Sequence, residues 1–125
     1  MKSFLSEQAQ AFRTAFNVSN SVSPLARRTQ LTLIVEEYEE FRDAERQVIP
    51  GLLRNEEDAL KELADLVYVC YQYATNMGWD LDEAMNRVHQ SNMSKLGVDG
   101  KPIYREDGKI LKGPNYQPPT LTDIV

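Results

Sequence analysis

Hydrophobic and polar positions divide the chain into four helical stretches and a different C-terminal end. A first helix is predicted from after Ser3 to about Phe16, with Phe4, Ala11, Phe12 and Ala15 on its apolar side. The run Asn17-Val18-Ser19-Asn20-Ser21 is rich in capping residues and reads as a loop. Ser23-Pro24 marks a helix start: a side-chain acceptor at the N-cap, then a proline where no amide donor is needed. That second helix should continue until Pro50-Gly51 stops it. Asn55-Glu56-Glu57-Asp58 opens a third, with acids in its first turn favoured by the helix dipole, and Gly78 closes it. Asp80-Leu81-Asp82-Glu83 is a capping-box pattern for a fourth, ended by Gly97.

After Gly97 the period changes. Ile103-Tyr104 and Ile110-Leu111 flank Asp107-Gly108, a two-residue hairpin signal, and Gly113-Pro114 and Pro118-Pro119 make an extended arm. The expected fold is all-α: a four-helix bundle over residues 1–97, with a short β-hairpin and arm over 98–125 as part of one domain.

The two central helices hold the chemistry. In the second, Leu31, Ile34, Tyr38 and Phe41 form an apolar seam, and Leu33, Glu37, Glu40 and Ala44 form a neighbouring stripe rotated by roughly 110°. In the third, Ala59, Leu63, Leu66, Cys70, Tyr73 and Met77 make the seam, bordered by Glu62, Asp65 and Val69. Each helix thus carries two carboxylates one turn apart beside the core. If the helices pack antiparallel, the pairs converge. Four unneutralised carboxylates would repel one another and raise their pKa values, a conflict that a divalent cation resolves. An all-oxygen donor set selects Mg²⁺ or Mn²⁺ over zinc. Acid runs such as Glu36 to Glu40 are ordinarily solvated faces. The pairing of two such motifs at seam edges is what gives these ones meaning.

Composition narrows the classes. With 125 residues, 42% hydrophobic and 26% charged, the chain suits one folded domain. A net charge of -5 argues against a phosphate-backbone binder, and the single Cys70 and single His89 leave no thiol framework or structural zinc site. No apolar window is long enough for a bilayer and the first residues lack a secretory pattern, so a cytoplasmic setting is expected. Charge is uneven: eleven of the 19 acids and only four bases lie between Glu36 and Asp65, whereas from Arg87 onward six bases face four acids.

Glu36-Glu37-x-x-Glu40 followed by Glu62-x-x-Asp65 resembles the EExxE…ExxD pattern of the all-α nucleoside triphosphate pyrophosphohydrolases. That superfamily includes MazG-like enzymes, dimeric dUTPases and phosphoribosyl-ATP pyrophosphohydrolase. The resemblance covers about Leu25 to Leu96, including Glu62-Leu63-Ala64-Asp65-Leu66-Val67-Tyr68 and Asn92-Met93-Ser94-Lys95-Leu96, and the tail Asp107 to Tyr116 is similar to the ends of short MazG-like proteins. It implies Mg²⁺-dependent hydrolysis of a nucleoside triphosphate, a deoxyribonucleotide foremost, between the α- and β-phosphates. It further implies Glu37, Glu40, Glu62 and Asp65 as metal ligands and Glu36 as the acid that orients water or holds a second ion. Asn92 and Lys95, three apart on one helix face, match the family's phosphate contacts. Arg87 and Lys61 are weaker cationic candidates, Lys61 being placed to pair with Glu57. The basic residues of the hairpin, Lys101 to Lys112, are candidates for a lid.

Helix three is apolar on more than one side, and a homodimer or homotetramer is expected to cover the excess, as the family does. No nucleic-acid or membrane partner is expected. The alternatives are a dUTPase-like or phosphoribosyl-ATP-cleaving member, the latter less favoured by the MazG-like tail, and a non-catalytic helical module whose acids bind a basic partner.

Overall fold

The structure, a computed structural model, describes residues 5–125. The expected apolar contact of Phe4 lies outside them. Four helices follow in order: α1 (Leu5–Ala15), α2 (Pro24–Arg46), α3 (Leu53–Met77) and α4 (Leu81–Met93). Two short strands, β1 (Ile103–Tyr104) and β2 (Ile110–Leu111), complete the described elements. The expected all-α class is observed. Contacts divide the chain into a unit ending at Leu81 and a second spanning Asp82–Val125, so α4 groups with the hairpin and arm. No helix among the described residues is long and apolar enough to cross a membrane.

Helix boundaries follow local chemistry. Ser23 caps α2, its Oγ accepting from the Ala26 amide at 3.2 Å, with Pro24 at the first helical position. The helix stops at Arg46, four residues before Pro50. The β-branched pair Val48-Ile49 and the pre-proline bias against helical backbone account for the early end. α3 begins at Leu53 rather than Asn55, because the Asn55 side chain is engaged elsewhere: its Oδ1 accepts from the Ile49 amide at 3.1 Å and ties down the connecting loop. Gly78 ends α3 with φ of 75°, and the Trp79 amide donates to the Ala74 carbonyl at 2.9 Å.

In the first unit α3 is the central element, with α1 on one side and α2 on another. The α1–α3 contact is polar at its centre. Arg13 is 2% exposed; its guanidinium donates to Gln72 Oε1 at 3.0 Å, Asn76 Oδ1 at 2.9 Å and Ser19 O at 3.1 Å, while Nε donates to Asn20 Oδ1. Burial lowers the pKa of this guanidinium. Among the described residues no Leu, Ile, Val, Phe or Met is fully buried; Ala9, Ala59, Tyr71 and Ala74 are the buried apolar residues.

The covered faces of α2 and α3 include most of the expected seams: Ile34 and Phe41 on α2, and Ala59, Leu66, Cys70, Tyr73 and Met77 on α3, are buried or half-buried. Leu31 and Tyr38 of the expected α2 seam are exposed, whereas Gln30 is buried and Leu33, Glu37 and Ala44 are half-buried. On α3 the expected seam residue Leu63 is 41% exposed, while Glu62, Asp65 and Val69 are half-buried. The stripes expected to border the core are therefore partly covered too, with Glu40 left exposed. The apolar surface of α3 is broad and shared between α1 and α2, so more than one line of it is covered.

In the second unit, α4 ends at Met93 instead of reaching Gly97, and a tight turn follows with Lys95 N donating to Asn92 O at 3.2 Å. The hairpin pairs Ile103 with Leu111 and Tyr104 with Ile110. Its loop has three residues rather than two: Arg105 N donates to Lys109 O at 2.8 Å, Gly108 N donates to Arg105 O at 2.9 Å, and Gly108 has φ of 87°. This is a type I turn closed by a left-handed glycine, which needs the residue after Asp107 to lack a Cβ.

Candidate metal centre

Glu37 and Glu40 lie one turn apart on α2, and Glu62 and Asp65 one turn apart on α3. One carboxylate oxygen from each of Glu37, Glu40 and Glu62 falls within 4.8 Å of the others. Three of the four expected ligands are thus brought together from two helices. The fourth, Asp65, is occupied at its Oδ2 by Lys61 Nζ at 2.7 Å. The pairing of Lys61 with Glu57 expected from i, i+4 spacing is replaced by one in the other direction along α3. Glu36 is exposed and stands outside the three-carboxylate group.

The electrostatics of the group are unfavourable as it stands. Glu37 Oε2 and Glu62 Oε1 are buried and accept no hydrogen bond. Lys61 Nζ is 3.5 Å from Glu62 Oε1, an ion-pair distance that leaves that oxygen without a hydrogen bond. Desolvation, then a shared hydrogen bond with Glu40, then repulsion from Glu40, Asp65 and Glu62, push the Glu37 carboxyl up to about 7. Lys61, with partners at Asp65 and Glu62, holds its proton more firmly than a free lysine.

Orphaned, partly desolvated carboxylate oxygens converging from two helices fit a hard cation, which would accept their lone pairs and remove the repulsion. The donor set contains no sulfur or imidazole. The group can therefore hold a metal ion. A cavity of about 280 Å³ opens beside it, bounded by Glu40, Glu62, Lys61, Gln47, Asn55 and Asp58, together with Ala44.

Asn92 and Lys95 belong to the second unit. Asn92 is exposed in the last turn of α4, and Lys95 is half-buried in the turn beyond it, so the two do not share a continuous helix face. Arg87 is held by Glu83 and Asp123, which takes it out of the set of free cations. In the hairpin, Arg105 is paired with Asp107 and Lys112 lies 4.7 Å from the centre of the Tyr116 ring. Trp79 packs against Tyr73, ring centres 5.6 Å apart, as its place after a helix end suggests. Cys70 is half-buried, and burial raises its pKa, so it is a poor nucleophile.

Sequence reasoning missed the Arg13 network, although Gln72 and Asn76, polar and one turn apart inside an apolar helix, were its signal. It also missed Asn55 and Asp58 as cavity residues, having assigned them only to a helix start. A family model described as phosphoribosyl-ATP pyrophosphohydrolase matches residues 6–92, most of the described chain. No curated protein is significantly similar. The match falls inside the superfamily that the acidic motif resembles, on the branch that the tail did not favour. Because the match spans well over half of its length, the chain belongs to the phosphoribosyl-ATP pyrophosphohydrolase family, whose members are nucleotide pyrophosphohydrolases.

Proposed function

We propose that this protein is a Mg²⁺-dependent hydrolase of nucleoside triphosphates, deoxyribonucleotides foremost, releasing a nucleoside monophosphate and pyrophosphate. The observation that carries this reading is the pair of buried oxygens that accept no hydrogen bond, Glu37 Oε2 and Glu62 Oε1, in a three-carboxylate group. Glu37, Glu40 and Glu62, with Asp65 once freed from Lys61, hold the ion, and Mn²⁺ is an acceptable substitute. A bound Mg²⁺ supplies Lewis-acid polarisation of the phosphate under attack and offsets charge on the departing pyrophosphate.

The chain's own residues supply the rest. Glu36, exposed and next to Glu37 along the chain, orients the attacking water and accepts its proton as the new oxygen–phosphorus bond forms at the α-phosphorus. The bond from the α-phosphorus to the bridging oxygen breaks, and its electrons leave with pyrophosphate. Lys61, when displaced from Asp65, is a cation at the edge of the cavity, where phosphate charge accumulates. Asn92 and Lys95 contact phosphate by motif position.

The chain works as a homodimer or homotetramer in the cytoplasm. Supporting the assembly is an apolar face of α1 and α3, where Leu60, Leu63, Val67 and Tyr68 are all at least 38% exposed around a groove of about 410 Å³. Burying such side chains gains about 25 cal/mol per Å².

A second reading, cleavage of phosphoribosyl-ATP, is favoured by the family match over residues 6–92. A dUTPase-like preference is a third form of the same chemistry. The test is pyrophosphate release with Mg²⁺ across ribo- and deoxyribonucleoside triphosphates, dUTP and phosphoribosyl-ATP, with Asp65→Asn as control. Pyrophosphate from deoxyribonucleoside triphosphates, lost in the variant, supports the first reading. Turnover of phosphoribosyl-ATP alone moves the assignment to the second. No metal-dependent turnover, with Glu40→Gln harmless to stability and Mg²⁺ without effect, leaves a non-catalytic helical module.

A further inference from the structure

The C-terminal arm is fastened to α4 at three points, all within the second unit. At the first, Arg87 donates from Nη1 and Nη2 to Asp123 Oδ1 and Oδ2 at 2.6 and 3.0 Å, and from Nη1 to the Thr120 carbonyl at 2.9 Å. Its Nε donates to Glu83 Oε2 at 2.8 Å, one turn earlier on α4. At the second, the Gln117 amide donates to Ser94 Oγ at 3.0 Å while that hydroxyl donates to Ser91 O at 2.6 Å. At the third, the Gly113 amide donates to the carbonyl of Lys95 at 2.8 Å. Gly113 is buried, and a Cβ there would collide with the Leu96 and Lys95 carbonyl oxygens, so the arm lies directly on the turn that carries Lys95.

Between these fastenings the arm does not pack down. A cavity of about 560 Å³ separates α4 from the stretch 117–120. Attachment therefore depends on the discrete clips, not on continuous burial. The Arg87 clip is the strongest in form, a two-pronged pair with one carboxylate braced by a second. Asp123 is pulled below the usual carboxylate range by Arg87, in keeping with that pairing.

We propose that Arg87 is a positioning residue: by clipping the arm to α4 it holds Gly113 against the Lys95 turn and thereby fixes the phosphate-contacting Lys95. The inference rests on the hydrolase reading and on Lys95 contacting phosphate. Arg87 itself touches no substrate.

The test combines amide hydrogen exchange with kinetics on full-length Arg87→Ala, Asp123→Ala, Lys95→Ala and the Arg87→Ala/Lys95→Ala double variant. Exchange of the Gly113 and Gln117 amides should quicken in Arg87→Ala and in Asp123→Ala. KM for the best nucleotide should rise by about fivefold, the most a partly exposed ion pair ordinarily supplies, with kcat nearly unchanged. Added to Lys95→Ala, the Arg87 change should cost nothing more, because the group it positions is gone. Unchanged exchange overturns the proposal, as do multiplying effects in the double variant, a loss confined to kcat, or a silent Lys95→Ala. A wild-type protein without turnover defeats the hydrolase reading instead, while the exchange arm still reports whether Arg87 holds the strap.

Discussion

Replacing Glu37 by Gln should make the metal-free protein more stable and at the same time remove its response to Mg²⁺. Glu37 holds its proton up to about 7 in the folded state, against 4.5 for an ordinary glutamate. Between those values the native state binds more protons than the unfolded chain, so stability falls as pH rises through that window and the full penalty is present above about 7. At about 1.4 kcal/mol for each pH unit the cost reaches ~3 kcal/mol. Glu37 is only half-buried, and solvent screening brings this to roughly 1–2 kcal/mol. Glutamine has no charge to repel, so at pH 8 in a chelator Glu37→Gln should melt roughly 5 °C higher than wild type. Mg²⁺ at a hundredfold excess over its Kd should raise the wild type by about 2.7 kcal/mol and the variant far less, inverting their order. Thermal unfolding from pH 5 to 8, with chelator and with Mg²⁺, reads both effects. A variant that melts lower without metal, or that gains as much from Mg²⁺ as wild type, would refute the reasoning.

Lys61→Ala removes the cation that pairs with Asp65 and Glu62, so half-saturation of the Mg²⁺-induced melting shift should move to lower Mg²⁺. Arg13→Ala leaves Gln72 Oε1 and Asn20 Oδ1 without their donor, with Asn76 Oδ1 keeping only the Ser21 amide, and should cost about 3 kcal/mol in urea unfolding while the Mg²⁺-induced gain persists. Leu63→Asp places a charge in the exposed apolar face of α3 and should shift sedimentation toward the monomer; an unchanged assembly state would place the subunit contact elsewhere.

The helices were legible because their ends are written in short-range chemistry: Ser23-Pro24 and Gly78 each fix a terminus through a cap or a backbone conformation. The acid motif was legible because residues three apart on a helix must share a side, whatever that side faces. Which side faces inward was legible in outline, since Ile34, Phe41, Leu66, Cys70, Tyr73 and Met77 are covered as expected, but the edges of that side were not. Gln30, Glu37 and Glu62 are polar residues on covered faces, whereas Leu31, Tyr38 and Leu63 are exposed apolar ones. A pattern of apolarity sees surfaces to be covered and does not distinguish α1, α2 and a second subunit as their cover. The Arg13 network escaped for the opposite reason: its partners are 59 and 63 residues away in sequence, and only tertiary packing joins them. The early end of α4 depends on backbone bonds beyond Met93 and on the Ser94 hydroxyl, which turns back to the Ser91 carbonyl at 2.6 Å.

The claim on which the account turns is that the carboxylates of α2 and α3 are a metal centre. Crystals grown with Mn²⁺ and measured for anomalous scattering test it most directly. The account predicts a peak bonded to oxygens of Glu37, Glu40 and Glu62, with Lys61 moved away from Asp65. A map with no peak there at saturating Mn²⁺, and Lys61 still on Asp65, would contradict it.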